Sequence, residues 1–185
     1  MTWIRTIPPE EAEGALEEVY RRAGAARGKV SNILLSHSLK PDVVRTHLDL
    51  YLAILFAPSS LSRAQREMIG VVVSAVNGCE YCVQHHGIAL ARYWKDEEKV
   101  WKFARDYAGY PLPLADRVLV DFVARLTRDP AASREEDLEP LRRAGFDDEG
   151  ILTAVLAAGY FNFVNRIVQA LGVEFTAEES RGYKV

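Results

Sequence analysis

Apolar residues recur along this chain three and four positions apart, the spacing of one face of a helix. After Pro8-Pro9 the acidic run Glu10, Glu11 and Glu13 marks a helix start, since carboxylates suit the positive end of a helix dipole. That helix carries Ala15, Leu16, Val19, Tyr20 and Ala23 on one stripe and ends near residues 24–28, where glycines collect. Residues 29–40 read as a loop or short helix. Pro41 then opens a helix with Val44, Leu48, Tyr51, Leu52 and Leu55 on its apolar face. Pro58-Ser59-Ser60 breaks the chain, and Ser60 or Ser62 can cap the next helix, over about 62–77. Between 68 and 76 that helix is apolar on every side apart from Gly70 and Ser74, which places it inside a core. Its run Val71-Val72-Val73 would also suit a buried strand. Helix is preferred, because no partner strand occurs elsewhere to satisfy the backbone.

Asn77-Gly78 interrupts, and a further helix is expected over 79–93. Helices over 96–107 and 114–126 follow, then a short acidic helix over 133–145. A long apolar helix capped by Asp147 or Asp148 ends at Gly172. It is apolar nearly all round, which calls for burial in the core or against another subunit, with Asn162, Asn165, Arg166 and Gln169 finding polar partners across that contact. The polar tail beyond 173 reads as an extended arm. The expectation is an all-α protein, divided as a helical arm at 1–30, a helical domain at 31–173 and a tail at 174–185.

Composition agrees with a globular domain. Hydrophobic residues make up 49% and charged residues 26% of 185 residues, well away from the disordered range. Net charge is -3 with Lys and Arg scattered, which argues against nucleic-acid binding. No basic start leads into an apolar run, so no signal peptide is expected. The apolar stretches at 68–76 and 151–168 read as too short or too interrupted to span a bilayer. A cytoplasmic protein with no membrane contact is the expectation.

The chemistry gathers at the two cysteines, Cys79 and Cys82. A secreted scaffold would spread its cysteines to staple distant segments. A C-x-x-C pair points to redox chemistry or metal. At about 100° per residue, Cys79, Cys82 and His86 fall on one helix face, with His86 one turn beyond Cys82. Following Asn77-Gly78, Cys79 sits at a helix N-terminus, where free N–H groups and the dipole favour thiolate. Cys82 shares that first turn and has His86 as a base. Glu67 has Ala64, Val71 and Ala75 as helical neighbours, an apolar stripe expected to raise its pKa toward neutrality and let it exchange protons with a His. Arg63 and Arg66 are its candidate salt-bridge partners. His85 reads as a partly exposed polar residue and Tyr81 as packing.

The pattern Glu67, eleven residues, Cys79-x-x-Cys82-x-x-x-His86 resembles the active-site signature of the alkylhydroperoxidase D (AhpD)-like proteins in the carboxymuconolactone decarboxylase superfamily, and most closely their peroxidase-related branch. The likeness runs along 61–90, more loosely over 33–173, and leaves 1–30 outside. It implies an all-helical, AhpD-like domain assembling as a homotrimer or hexamer. It implies a thiol-dependent, peroxiredoxin-type peroxidase with catalytic residues Cys82, Cys79, His86 and Glu67. Cys82 attacks a peroxide and becomes sulfenic acid, Cys79 resolves it as a disulfide, and His86 and Glu67 relay protons. An external dithiol, thioredoxin-like or lipoyl, restores the thiols, with no cofactor or resident metal. The family's best-known peroxidase has a His immediately before its second Cys, where this chain has Tyr81, and the decarboxylase branch lacks the Cys pair. Two rival readings stand beside this one. Zinc could be held by Cys79, Cys82 and His86 or His85, with His37, His47 or Glu67 as fourth ligand. A helical assembly protein could sense oxidation without turnover.

Overall fold

The computed structural model describes residues 2–176, 178, 179 and 181–183. Among these every regular element is helical: α1 (Gly14–Arg27), α2 (Asn32–Leu35), α3 (Pro41–Phe56), α4 (Arg63–Val76), α5 (Glu80–Trp94), α6 (Glu97–Arg105), α7 (Leu114–Arg128), α8 (Glu139–Arg143) and α9 (Asp148–Leu171). Single 3-10 turns lie at Pro9–Glu11, Pro130–Ala132 and Glu135–Leu138. The all-α expectation holds, and Val71-Val72-Val73 is helical.

Local signals explain most boundaries. Ser62 Oγ accepts from Gln65 N at 3.2 Å while Gln65 Oε1 accepts from Ser62 N at 2.9 Å, a reciprocal cap that starts α4. Gly28 ends α1 in the left-handed region. Two readings shift. The Pro8-Pro9 signal yields only a 3-10 turn, and α1 waits until Gly14. The acidic segment after 133 is not one helix but a 3-10 turn followed by a five-residue α8. Pro140 has no N–H to give and its ring would crowd the carbonyl four residues back, so it fits only in the first turn of α8.

The chain packs as two compact units, 1–53 with 166–185, and 54–165. The divisions drawn from sequence after 30 and after 173 both fall within the first unit. There, Leu16, Val19, Tyr20 and Ala23 of α1 form one apolar cluster with Leu34, Val44 and Leu48. Tyr20 Oη donates to Ile7 O at 3.0 Å, and Ile7 N donates to Ser38 Oγ at 2.8 Å, tying the segment before α1 to the same cluster. The tail is not an extended arm over its described part. Glu179 is buried, accepting from Asn32 N at 2.9 Å and Tyr183 Oη at 3.0 Å and pairing with Lys29 at 3.3 Å. Residues 177, 180, 184 and 185 of that segment lie outside the described residues.

In the second unit α4 is the central helix, packed against α5, α6 and α7. Met68, Ile69, Val71, Val72 and Val73 are buried all round its axis, as their apolar run requires. By length and composition α9 is apolar enough to cross a membrane, against the sequence reading that 151–168 is too interrupted. Its Ala154, Ala157, Ala158 and Phe161 are fully buried, the behaviour of a core helix.

The first unit carries an acid-sensitive pair. His47 is buried with its ring edge-on to His37 at 5.0 Å, and burial, reinforced by His37, pushes its pKa down to about 3. The unfolded chain takes up this proton below about 6.5 and the folded chain does not, so stability falls as pH drops from there toward 3. His47 alone should cost up to about 1.4 kcal/mol per pH unit in that window. Urea midpoints measured from pH 7 to 4 should fall less steeply in His47→Leu than in the wild type; parallel curves would show that His47 does not titrate in this way.

Candidate active site

The turn after α4 sets the two cysteines. Asn77 N donates to Val73 O at 3.0 Å, and Gly78 takes φ 66°, a left-handed position that suits a residue without Cβ. Cys79 N then donates to Ser74 O at 2.9 Å, and Cys79 O accepts from Val83 N at 3.0 Å, making Cys79 the N-cap of α5. Cys82 is the third residue of α5. Both are free thiols and both are buried.

Their acidities diverge. The Cys82 thiol donates toward Cys79 sulfur, and this outweighs burial to hold the Cys79 thiol below its ordinary value. The same bond, together with burial, pushes the Cys82 thiol well above. The expectation that both thiols are acidified is corrected here: two adjacent buried anions repel, so one proton leaves readily and the other is kept between the sulfurs.

A second group of residues handles charge. Glu67 on α4 is 1% exposed. Arg63, one turn earlier, donates from Nε to Oε1 at 2.8 Å, and its Nη2 reaches the same oxygen. His86 Nδ1 bonds the other oxygen, Oε2, at 2.7 Å. Burial pulls the Glu67 carboxyl up, but His86 and then Arg63 outweigh it and leave it below the ordinary carboxylate value. The expected rise toward neutrality is therefore reversed, because the hydrogen bonds that His86 and Arg63 make to its two oxygens outweigh the apolar stripe. An ionised Glu67 needs the hydrogen on Nδ1 of His86. Arg63 is itself braced, its guanidinium 3.7 Å from the Phe56 ring centroid. Arg66 serves the backbone instead, donating from Nη1 to Ile54 O at 3.1 Å and Ala57 O at 2.8 Å.

His86 reaches Glu67 because α4 has a glycine beneath it. A Cβ on Gly70 would lie 2.8 Å from His86 Cγ and 2.9 Å from Phe161 Cζ. The His86 and Phe161 rings meet edge-to-face at 4.4 Å. Cys82 stands one turn before His86 on the same helix, so register brings the thiol pair and the Glu67–His86 pair onto one side of α5. The four residues read from sequence thus form two bonded pairs.

These observations are met in known proteins. A family model described as Carboxymuconolactone decarboxylase family matches residues 41–112, which include Glu67, Cys79, Cys82 and His86. The crystal structure of an uncharacterized peroxidase-related protein from Silicibacter sp. TM1040 is 31% identical, covers 97% of this chain and 94% of that one, and superposes with a TM-score of 0.86. The chain belongs to the carboxymuconolactone decarboxylase superfamily, among its AhpD-like members. The AhpD core of an uncharacterized peroxidase-related protein from Ralstonia eutropha JMP134 is similar at 26% identity, with coverage of 97% and 94% and a TM-score of 0.88. The uncharacterized protein YdfG of Bacillus subtilis (strain 168) is 26% identical over 115 residues, 62% of this chain and 78% of its own.

Around this AhpD-like motif lie residues outside the C-x-x-C pattern. Asn162 and Asn165 find partners inside the fold rather than across a subunit contact: Asn77 Nδ2 donates to Asn162 Oδ1 at 3.0 Å and Asn165 Oδ1 at 2.9 Å. Asn165 Nδ2 donates to Ser74 Oγ at 3.1 Å. Tyr81 is buried with the His85 ring against it at 4.6 Å, a packing role. Of the ligands considered for zinc, Glu67 is committed to His86 and Arg63, and His37 faces His47. Among the described residues no three or more His, Cys, Asp or Glu are grouped to hold a metal ion.

Gly70→Ala should push the His86 and Phe161 rings out of place and destabilise the protein by about 1–3 kcal/mol. The urea midpoint reads this directly; an unchanged midpoint would mean that both rings can move aside freely.

Proposed function

We propose that this protein is a thiol-dependent peroxidase of the AhpD type, cycling Cys79 and Cys82 between dithiol and disulfide. The observation that carries the reading is the buried Glu67–His86 pair, bonded at 2.7 Å, one helical turn from two buried free thiols whose acidities diverge. Membership of the family and its peroxidase-related relatives support an enzyme with an antioxidant role.

When the pair gives up a proton, the anion is favoured on Cys79 and the remaining proton on Cys82. For Cys82 to attack, that proton moves along the S–H···S bond to Cys79, leaving the thiolate on the sulfur nearer His86. The thiolate attacks the peroxide O–O bond, Cys82 becomes sulfenic acid, and the departing alkoxide takes a proton relayed through His86. Glu67 stays ionised throughout and stabilises the charged imidazole. The Cys79 thiol then displaces water from the sulfenic acid to form the disulfide. An external dithiol of the thioredoxin-like or lipoyl kind returns two electrons and two protons. The cytoplasm, where such reductants operate, is the proposed setting. Exposed Leu152, Val155 and Leu156 on α9 support assembly into a homotrimer or hexamer.

Peroxide consumption with a supplied dithiol is the test. Cys82→Ser should lose turnover and fail to consume even one equivalent. Cys79→Ser should consume one equivalent and stop as a trappable sulfenic acid. Glu67→Gln should lower the rate on the order of 100-fold. Continued turnover in Cys82→Ser, or a disulfide that forms rapidly in the wild type but is never recycled by any dithiol, would overturn the peroxidase reading.

A further inference from the structure

The thiol pair lies among neutral hydrogen-bond donors that the Glu67–His86 relay does not use. Asn165 on α9 is fully buried, as is Ser74 on α4. The orientation of the Asn165 amide is forced. Asn77 Nδ2 has two hydrogens and gives one to Asn162 Oδ1 and one to Asn165 Oδ1. Asn162 is held in turn, its Nδ2 donating to Ala158 O at 3.0 Å and Thr127 Oγ1 at 3.3 Å. A flipped Asn165 would set two donors face to face, so its oxygen points to Asn77 and its nitrogen to Ser74 and the sulfurs. Asn165 Nδ2 gives one hydrogen to Ser74 Oγ at 3.1 Å. Cys79 N donates to Ser74 O at 2.9 Å, which sets this network against the thiol turn; there the Asn165 amide favours the anion on both thiols and the Ser74 hydroxyl on Cys82. Having accepted from Asn165, Ser74 has its own hydrogen to direct at sulfur.

We propose that Asn165 and Ser74, oriented by Asn77, form a neutral donor cradle that stabilises the anionic sulfur of the pair. The proposal rests on the reading of Cys79 and Cys82 as a reactive dithiol. Burial works against a thiolate here, and a donor on each approach offsets it. The cradle acts on the reduced form alone, because a disulfide carries no charge for it to hold. It therefore favours dithiol over disulfide and eases re-reduction by the external dithiol.

The test is the rate of iodoacetamide alkylation of the reduced full-length protein against pH, with each cysteine assigned by mass. Asn165→Leu should move the first ionisation midpoint up by about one pH unit, a roughly tenfold slower reaction at pH 7. Ser74→Ala should do the same more weakly and only at Cys82. In glutathione redox buffers both variants should shift toward disulfide. A folded Asn165→Leu with an unmoved midpoint would overturn the proposal. Should Asn165→Leu not fold, an unmoved Cys82 midpoint in Ser74→Ala would do so. Peroxide is not used, so a wild type that ignores peroxide yet shows these shifts defeats the peroxidase reading and keeps the cradle.

Discussion

A carboxylate cut off from water must be matched by cations or hydrogen-bond donors, and Glu67 sets that demand at the centre of the second unit. Unpaired, it would cost several kcal/mol. Its two oxygens are answered from opposite directions, Oε1 by Arg63 on its own helix and Oε2 by His86 from α5. The second answer has structural consequences. For the imidazole to come down onto α4, that helix can carry no side chain at position 70, and α5 must double back at Asn77-Gly78. The same doubling puts Cys79 at the cap of α5 and Cys82 in its first turn. The ion pair is weak as a source of stability, but it fixes where the proton-carrying ring stands relative to the sulfurs.

The two halves of the site are built from different materials. Full charges serve the imidazole: a carboxylate on one side of it and a guanidinium behind that carboxylate. On the sulfur side the partners are a hydroxyl and an amide, Ser74 and Asn165. A full cation against the sulfur would acidify it further but would also make a poorer nucleophile, since thiolate reactivity falls with its basicity. Neutral donors stabilise the anion without that loss. Both halves hang from one stripe of α4 and its cap, where Arg63, Glu67, Gly70, Ser74 and Asn77 follow at steps of four, three, four and three on a helix that is otherwise apolar apart from Gln65 and Arg66.

That stripe shows what was and was not legible. Helix content, the Ser62 cap, the Asn77-Gly78 turn and the four motif residues all follow from local spacing. So did the pairing of Glu67 with Arg63, as one of two candidates. The acidities did not follow. The Asn77-Gly78 turn lets two helices fold back and bring His86 near Glu67, as the 2.7 Å bond bears out, but the apolar neighbours of Glu67 point toward neutrality, and only the fold shows that its partners outweigh them. The helix N-terminus points toward two acidic thiols, and only their mutual hydrogen bond shows that one proton is kept. The acidic pattern over 133–145 points to one helix and leaves out Pro140, which fits only a first turn. Asn165 lies 83 residues beyond Cys82, too far for spacing to connect them, although a polar amide in so apolar a helix was a signal that some polar partner exists.

The burial of Asn165 also constrains the oxidised state. A buried amide is tolerable only when its oxygen and both hydrogens are satisfied, and a half-satisfied network is worse than an apolar one. In the reduced protein the oxygen meets Asn77 and one hydrogen meets Ser74, and in the proposed cradle sulfur takes the remainder. Closing a disulfide leaves sulfur a much weaker acceptor, so that hydrogen loses most of its partner. An orphaned buried donor costs about 1–3 kcal/mol. The cost falls on the disulfide alone, which makes the oxidised form the less comfortable of the two. The proposed cycle needs that asymmetry: its disulfide has to be a state the protein leaves.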